Sequence, residues 1–130
     1  MYYMQEEKGG IMDTSPEYIK MCEGAEEIQK VWEISYGDFF VFKHPDYWGA
    51  PAVFYHQHIP SDLKEVAIWL PRQDQLQEMV AHESIYNLLD KFDVWGKWDQ
   101  SLYDSMEKLW LAFVMKERYN KTWNGKEWVK

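Results

Sequence analysis

"KEVAIWLPRQDQLQEMV", residues 64–80, contains the change of pattern that decides the fold of this chain. Its first seven residues are rich in apolar and β-branched side chains and predict a strand over 64–70. Pro71 ends that strand because proline cannot donate to a β ladder. From Asp74 onward the apolar side chains return at helical spacing. A strand that leads directly into a helix indicates a mixed α and β fold.

A first helix is signalled by its starting residues. Ser15 is a favoured N-cap, Pro16 fits the first helical position, and Glu17 suits the positive end of the helix. Apolar residues then recur at helical spacing: Tyr18, Met21, Cys22, Ala25, Ile28 and Trp32. This pattern predicts a helix over 15–33 that buries one stripe.

Two further strands are predicted between these regions. The run "FFVFKH" is aromatic and β-branched and predicts a strand over 38–43, and "AVFYHQH" predicts another over 52–58. The link between them is rich in turn-forming residues and displays Trp48 at a loop tip. Residues 1–13 show no apolar period and include two adjacent glycines, which is typical of a flexible leader.

The rest of the chain becomes helical and then returns to a strand. Apolar spacing predicts helices over 74–93 and 100–119, and "EWV" predicts a final strand over 126–129. The order of helix, strands, helices and a last strand is that of an α+β fold. We therefore expect a small three- to four-stranded, mainly antiparallel sheet covered by helices, in a single domain over 14–130.

The C-terminal turn predicts where two tryptophans lie. Asn124 and Gly125 together are the strongest short signal of a two-residue hairpin turn. Such a turn places Trp123 opposite Lys126, with Trp128 diagonally on the same face. We expect Trp128 to be the core member and the last strand to form an open sheet edge.

Composition limits the partners and the compartment. The chain of 130 residues has a formal net charge of −8, eight Trp and nine Tyr. Nucleic-acid affinity comes largely from Lys and Arg that neutralise phosphates, which argues against direct binding to DNA or RNA. The single cysteine excludes an internal disulfide, and no apolar stretch is long enough for a membrane span or a signal peptide. We expect a cytoplasmic protein that binds a protein partner or forms a homo-oligomer, away from membranes.

The amide-rich part of the opening stretch supplies a candidate binding surface. Helical spacing alone explains Gln73 and Gln77 as the solvated face of a helix. They also follow Trp69 and Arg72 at the junction of strand and helix, where amides beside an aromatic ring can bind a peptide or a base. Further tryptophans join the set of binding-surface candidates: Trp48, Trp95 and Trp98.

The histidines supply a candidate metal site. His56 and His58 alternate along a predicted strand, which places both imidazoles on one face, and Asp62 or His82 could complete a ligand set. Two strand histidines are more often only a polar face. The zinc-protease pattern H-E-x-x-H begins at His82 but has Tyr86 in place of its second histidine. Phosphate-binding glycine loops and the G-x-S-x-G elbow are absent from the sequence, so no catalytic residue and no cofactor is predicted.

Three stretches show a resemblance in their overall amino-acid sequence: "SPEYIKMCEGAEEIQKVW", "VAIWLPRQDQLQEMV" and "SMEKLWLAFVMKERYNKTWNGKEWVK". They resemble small uncharacterised phage or prophage proteins of low-GC Gram-positive bacteria. The resemblance implies a bacterial host cell and an accessory gene. It carries no functional residues.

Three hypotheses about function follow. The acidic composition with surplus Trp and Tyr favours a phage accessory protein that acts by protein–protein interaction and not by catalysis. A small metal-dependent hydrolase that uses His56 and His58 is the first alternative. An acidic DNA mimic that inhibits a host protein is the second, and it requires a contiguous stripe of carboxylates on one face.

Overall fold

The structure, a computed structural model, describes residues 12–43, 51–53, 62–81, 84–96 and 103–130. These residues form helices and short antiparallel strands, which confirms a mixed α and β fold. They fall into two compact units, one that ends at Arg72 and one that begins at Gln73. The leader predicted over 1–13 lies almost wholly outside the described residues, and the single domain over 14–130 stays a prediction.

The first unit combines three short helices with a three-stranded sheet. In chain order its elements are α1 (Pro16–Gly24), α2 (Glu26–Lys30), β1 (Phe39–Phe42), β2 (Pro51–Val53), α3 (Leu63–Val66) and β3 (Ala67–Leu70). The strands pair antiparallel in the order β2-β1-β3, and α1 packs against β3. Most of the strand predicted over 52–58 lies outside the described residues.

The predicted start of the first helix is confirmed, but its predicted extent over 15–33 is wrong. Ser15 caps α1, because its hydroxyl accepts the Tyr18 N–H at 3.2 Å. The helix ends at Gly24, a poor helix former, and Ala25 takes a non-helical conformation with φ −86° and ψ 71°. Helix α2 therefore starts afresh after Ala25.

The strand predicted over 64–70 is correct only in its second half. Residues Leu63–Val66 form one helical turn, and only Ala67–Leu70 pairs with β1. All four residues of β3 are buried, so both faces are covered and the strand shows no alternation that would fix its start. Lys64 and Glu65 are good helix formers and stay exposed, which suits the helical turn.

The second unit contains three helices and a hairpin. Its elements are α4 (Gln73–Val80), α5 (Ile85–Gly96), α6 (Met106–Tyr119), β4 (Thr122–Trp123) and β5 (Trp128–Val129). Helix α4 packs against α6, and α6 is buried on every side from Trp110 to Met115. The helix predicted over 74–93 is thus two helices.

The helix predicted over 100–119 begins later than expected. Ser105 caps α6, with its hydroxyl accepting the Lys108 N–H at 3.1 Å. A serine cap satisfies a backbone donor that the first turn otherwise leaves unpaired, and this local signal sets the start. Asn120 ends the helix in the left-handed region, with φ 56°.

The C-terminal strands form a separate sheet, so the single sheet of three to four strands is not what the structure shows. Trp123 pairs directly with Trp128, and the predicted pairing of Trp123 with Lys126 is wrong. The Asn124 side chain explains the difference, because its Oδ1 accepts the backbone N–H groups of Lys126 (2.8 Å) and Glu127 (2.9 Å). Four residues therefore separate the observed pair, Trp123 and Trp128, whereas two residues separate the predicted pair, Trp123 and Lys126. Trp123 is the buried member, and Trp128 is only half-buried.

Candidate functional site

Several predicted site residues lie outside the described residues. They are Trp48, His56, His58, His82 and Trp98. Asp62 is described, and it is exposed at the start of α3. Within the described ranges, no group of three or more His, Cys, Asp or Glu side chains is placed to hold a metal ion. The metal site stays a prediction.

Trp69, expected at a binding surface, is buried inside the first unit. Its ring stacks on Trp32 with the centroids 5.9 Å apart and the planes 2° from parallel. The ring of Phe40 lies 6.3 Å from that of Trp32 and extends the cluster. Offset aromatic stacking of this kind contributes about 0.5–1.5 kcal/mol beyond area burial. Trp69 therefore serves the core of this unit and presents no ring to a ligand.

Arg72 is held by a buried carboxylate. Its Nη1 lies 3.5 Å from Asp38 Oδ1 and donates to the Gly37 carbonyl at 3.1 Å. The other oxygen of Asp38 accepts the Trp32 indole N–H at 2.8 Å and the Ser35 backbone N–H at 2.9 Å. Gly37 has φ +91°, a conformation that glycine adopts without strain. The guanidinium thus fastens the end of the unit to the turn before β1.

The remaining amide and aromatic candidates belong to the second unit. Gln73 and Gln77 are partly exposed on α4, as helical spacing predicts. Trp95 is half-buried, and its ring contacts those of Phe92, Tyr103 and Phe113 at 5.8, 6.3 and 5.4 Å. The ring of Trp95 therefore anchors α5 to neighbouring aromatic residues.

The same aromatic cluster continues onto α6. Phe92 stacks on Trp110 at 3.9 Å with planes 7° apart, and it meets Phe113 edge-on at 5.4 Å. These contacts bury one side of α5. The opposite side of the helix carries apolar residues that nothing in this cluster covers.

The outward side of α5 is the most apolar exposed surface on a described helix. We call the α5 outer face the six residues Ile85, Tyr86, Leu89, Asp90, Asp93 and Val94. Its apolar members are exposed by 59% (Ile85), 81% (Tyr86), 49% (Leu89) and 50% (Val94). The six residues form two neighbouring rows with a spacing of four residues along the helix. Each row contains one exposed carboxylate.

By helical spacing, the sequence predicts that Ile85 and Leu89 lie on one buried face with Leu88 and Phe92. The structure buries Leu88 and partly buries Phe92, whereas Ile85 and Leu89 face outward. The signal that could have revealed this is the width of the apolar pattern. A surface helix needs an apolar stripe on one face, and α5 carries apolar residues on two.

Among the residues that the structure describes, two titratable groups have a shifted pKa. Burial raises the pKa of the Cys22 thiol well above its ordinary value, and Cys22 lies on the buried side of α1. The ammonium of Lys108, which donates to Asp104 Oδ1 at 2.5 Å, lowers the pKa of that exposed carboxyl. A thiol with a raised pKa is a poor nucleophile, so Cys22 has a packing role.

Among the described residues, no helix is long and apolar enough to cross a membrane. Comparison of the chain with protein-family models, with curated proteins and with solved structures finds no match. The resemblance to phage proteins therefore stays a prediction, and the α5 outer face is a candidate site on its geometry alone.

Proposed function

We propose that this protein acts by binding another protein, and that the α5 outer face is the surface that binds. The observation that supports this proposal is the exposure of four large apolar side chains on two adjacent rows of one helix. A single exposed apolar residue is ordinary, but a contiguous group is typical of an interaction surface.

The charge of the surface selects the partner. Asp90 lies between Tyr86 and Val94 in one row, and the whole chain carries a net charge of −8. A second copy of the chain would bring the same carboxylates together, which opposes self-association. We therefore assign the surface to an amphipathic helix of a different protein, with apolar anchors flanked by Lys or Arg.

Two designed peptides of equal length test this assignment. One is an amphipathic helix of Leu and Lys, and the other replaces every Lys with Glu. The Leu/Lys peptide is expected to bind, and hydrogen exchange should slow in residues 85–94. Calorimetry measures the affinity of each peptide.

Variants separate the α5 outer face from general charge attraction. Leu89→Ser removes an apolar anchor and Asp90→Lys reverses the charge, and each should weaken binding by about tenfold. Met106→Ser and Asn87→Lys are matched controls, because Met106 is exposed to a similar extent (45%) and Asn87 is exposed outside both rows. Equal weakening by the controls would contradict the proposal. A wild-type dimer that Leu89→Ser dissociates would assign the surface to a second copy instead.

A further inference from the structure

A side chain forms hydrogen bonds with the outer edge of β3, which is the edge that faces away from β1. The Lys43 N–H donates to the Val66 carbonyl at 2.8 Å, and hydrogen-bonded positions alternate along an antiparallel pair. The backbone N–H and C=O groups of Ile68 and Leu70 therefore point toward β1. The N–H and C=O groups of Trp69 consequently point away from the sheet. An edge that exposes such groups is a template for another strand.

Gln29 of α2 forms hydrogen bonds with both of these groups. Its Oε1 accepts the Trp69 N–H at 2.8 Å, and its Nε2 donates to the Trp69 carbonyl at 2.9 Å. The same Nε2 donates to the Cys22 carbonyl at 3.1 Å. Two carbonyls on one side and an N–H on the other fix which end of the amide is oxygen. The side chain thus makes the pair of bonds that a neighbouring strand would make.

We propose that Gln29 is an edge guard, which keeps β3 from pairing with β3 of a second copy. The sequence of β3 is "AIWL", with no charged residue and no proline, and these are the residues that otherwise discourage edge pairing. Gln29 belongs to α2, which starts after the helix break at Ala25 and runs separately from α1. The position of the edge guard therefore depends on this break. This inference is independent of the α5 outer face.

Gln29→Met tests the guard, because methionine keeps the length of the side chain and removes the amide. Glu26→Met is the matched control, since Glu26 is exposed on the same helix. In Gln29→Met the Trp69 amide should exchange about tenfold faster than in the wild type, while the Ile68 amide keeps its protection. Light scattering should show a mass that rises with protein concentration, and the control should match the wild type.

Gln29→Glu is a second variant if the methionine variant fails to fold. A protonated glutamic acid has one O–H donor and one acceptor, so it can make both bonds to Trp69, although it lacks the second donor that the amide gives to the Cys22 carbonyl. In the ionised form one carboxylate oxygen would face the Trp69 and Cys22 carbonyls, and repulsion between these oxygens drives the side chain away from the edge. Protection of Trp69 relative to Ile68 should therefore be high at pH 4 and low at pH 7, with self-association at pH 7. Unchanged protection of Trp69, or a mass equal to that of the wild type at every concentration, would overturn the proposal.

Discussion

Replacement of Asp38 should measure how much the buried carboxylate contributes to the first unit. Asp38→Ala removes the acceptor of two N–H donors and the partner of Arg72. The Trp32 indole N–H is buried, and a buried donor left unpaired costs about 1–3 kcal/mol. The Ser35 N–H is only part-buried and the Arg72 side chain is one-third exposed, so water recovers part of their loss. We expect the free energy of unfolding to fall by about 3 kcal/mol.

Asp38→Asn separates the hydrogen bonds from the charge. One carboxylate oxygen, Oδ2, accepts both N–H donors, and an amide oxygen in that position keeps both bonds. Of the contacts described here, the attraction to Arg72 is lost, so the free energy of unfolding should fall by about 1 kcal/mol. Urea unfolding, followed by both circular dichroism and fluorescence, measures the two variants. Equal losses in the two variants, or a loss below about 1 kcal/mol in Asp38→Ala, would refute this reasoning.

Two further predictions concern the hairpin and the thiol. Trp123→Ala should lower the free energy of unfolding by about 3–5 kcal/mol, and Trp128→Ala by clearly less, because only Trp123 is fully buried. Equal losses in thermal or urea unfolding would contradict this difference in burial between the two tryptophans. Cys22 should not react with a thiol reagent at pH 8 until the chain is unfolded. Its raised pKa also means that the thiol favours the folded state below pH 9.0 and that this contribution is lost as pH rises beyond that value, which Cys22→Ala should not show.

The sequence predicts features that depend on local chemistry. The start of α1 at Ser15 and Pro16 is confirmed, because a cap and a proline act on their own turn. The mixed α and β class is confirmed for a similar reason, since it depends on the spacing of apolar residues over a few turns. Local signals fail where two of them compete, and the two in this chain are the turn signal of Asn124 with Gly125 and the hydrogen bonds of the Asn124 side chain. At the hairpin the Asn124 side chain bonds the loop and displaces the expected two-residue turn.

The candidate site was the least predictable part, because exposure depends on what packs nearby. Ile85 and Leu89 have the same apolar character as Leu88, and only the packing of α5 separates them. Trp69 looked like a binding residue and is buried, because Trp32 from a distant part of the chain stacks on it. Gln29 carries no sequence signal for its role. Its partner lies 40 residues away, and amides on short helices usually face water.

The bonds that end the first unit have a consequence for synthesis of the chain. Tyr18 donates its hydroxyl to the Pro71 carbonyl at 2.6 Å, Gln29 bonds Trp69, and Asp38 pairs with Arg72. Residues 69–72 are therefore the last to leave the ribosome among those that fasten α1, α2 and β1. A nascent chain that stops at residue 68 lacks one partner of each of these three contacts, whereas the next four residues supply all three partners. Contacts so far apart in sequence slow folding, because the intervening loop must close first. The first unit thus cannot complete these three contacts until residue 72 has left the ribosome.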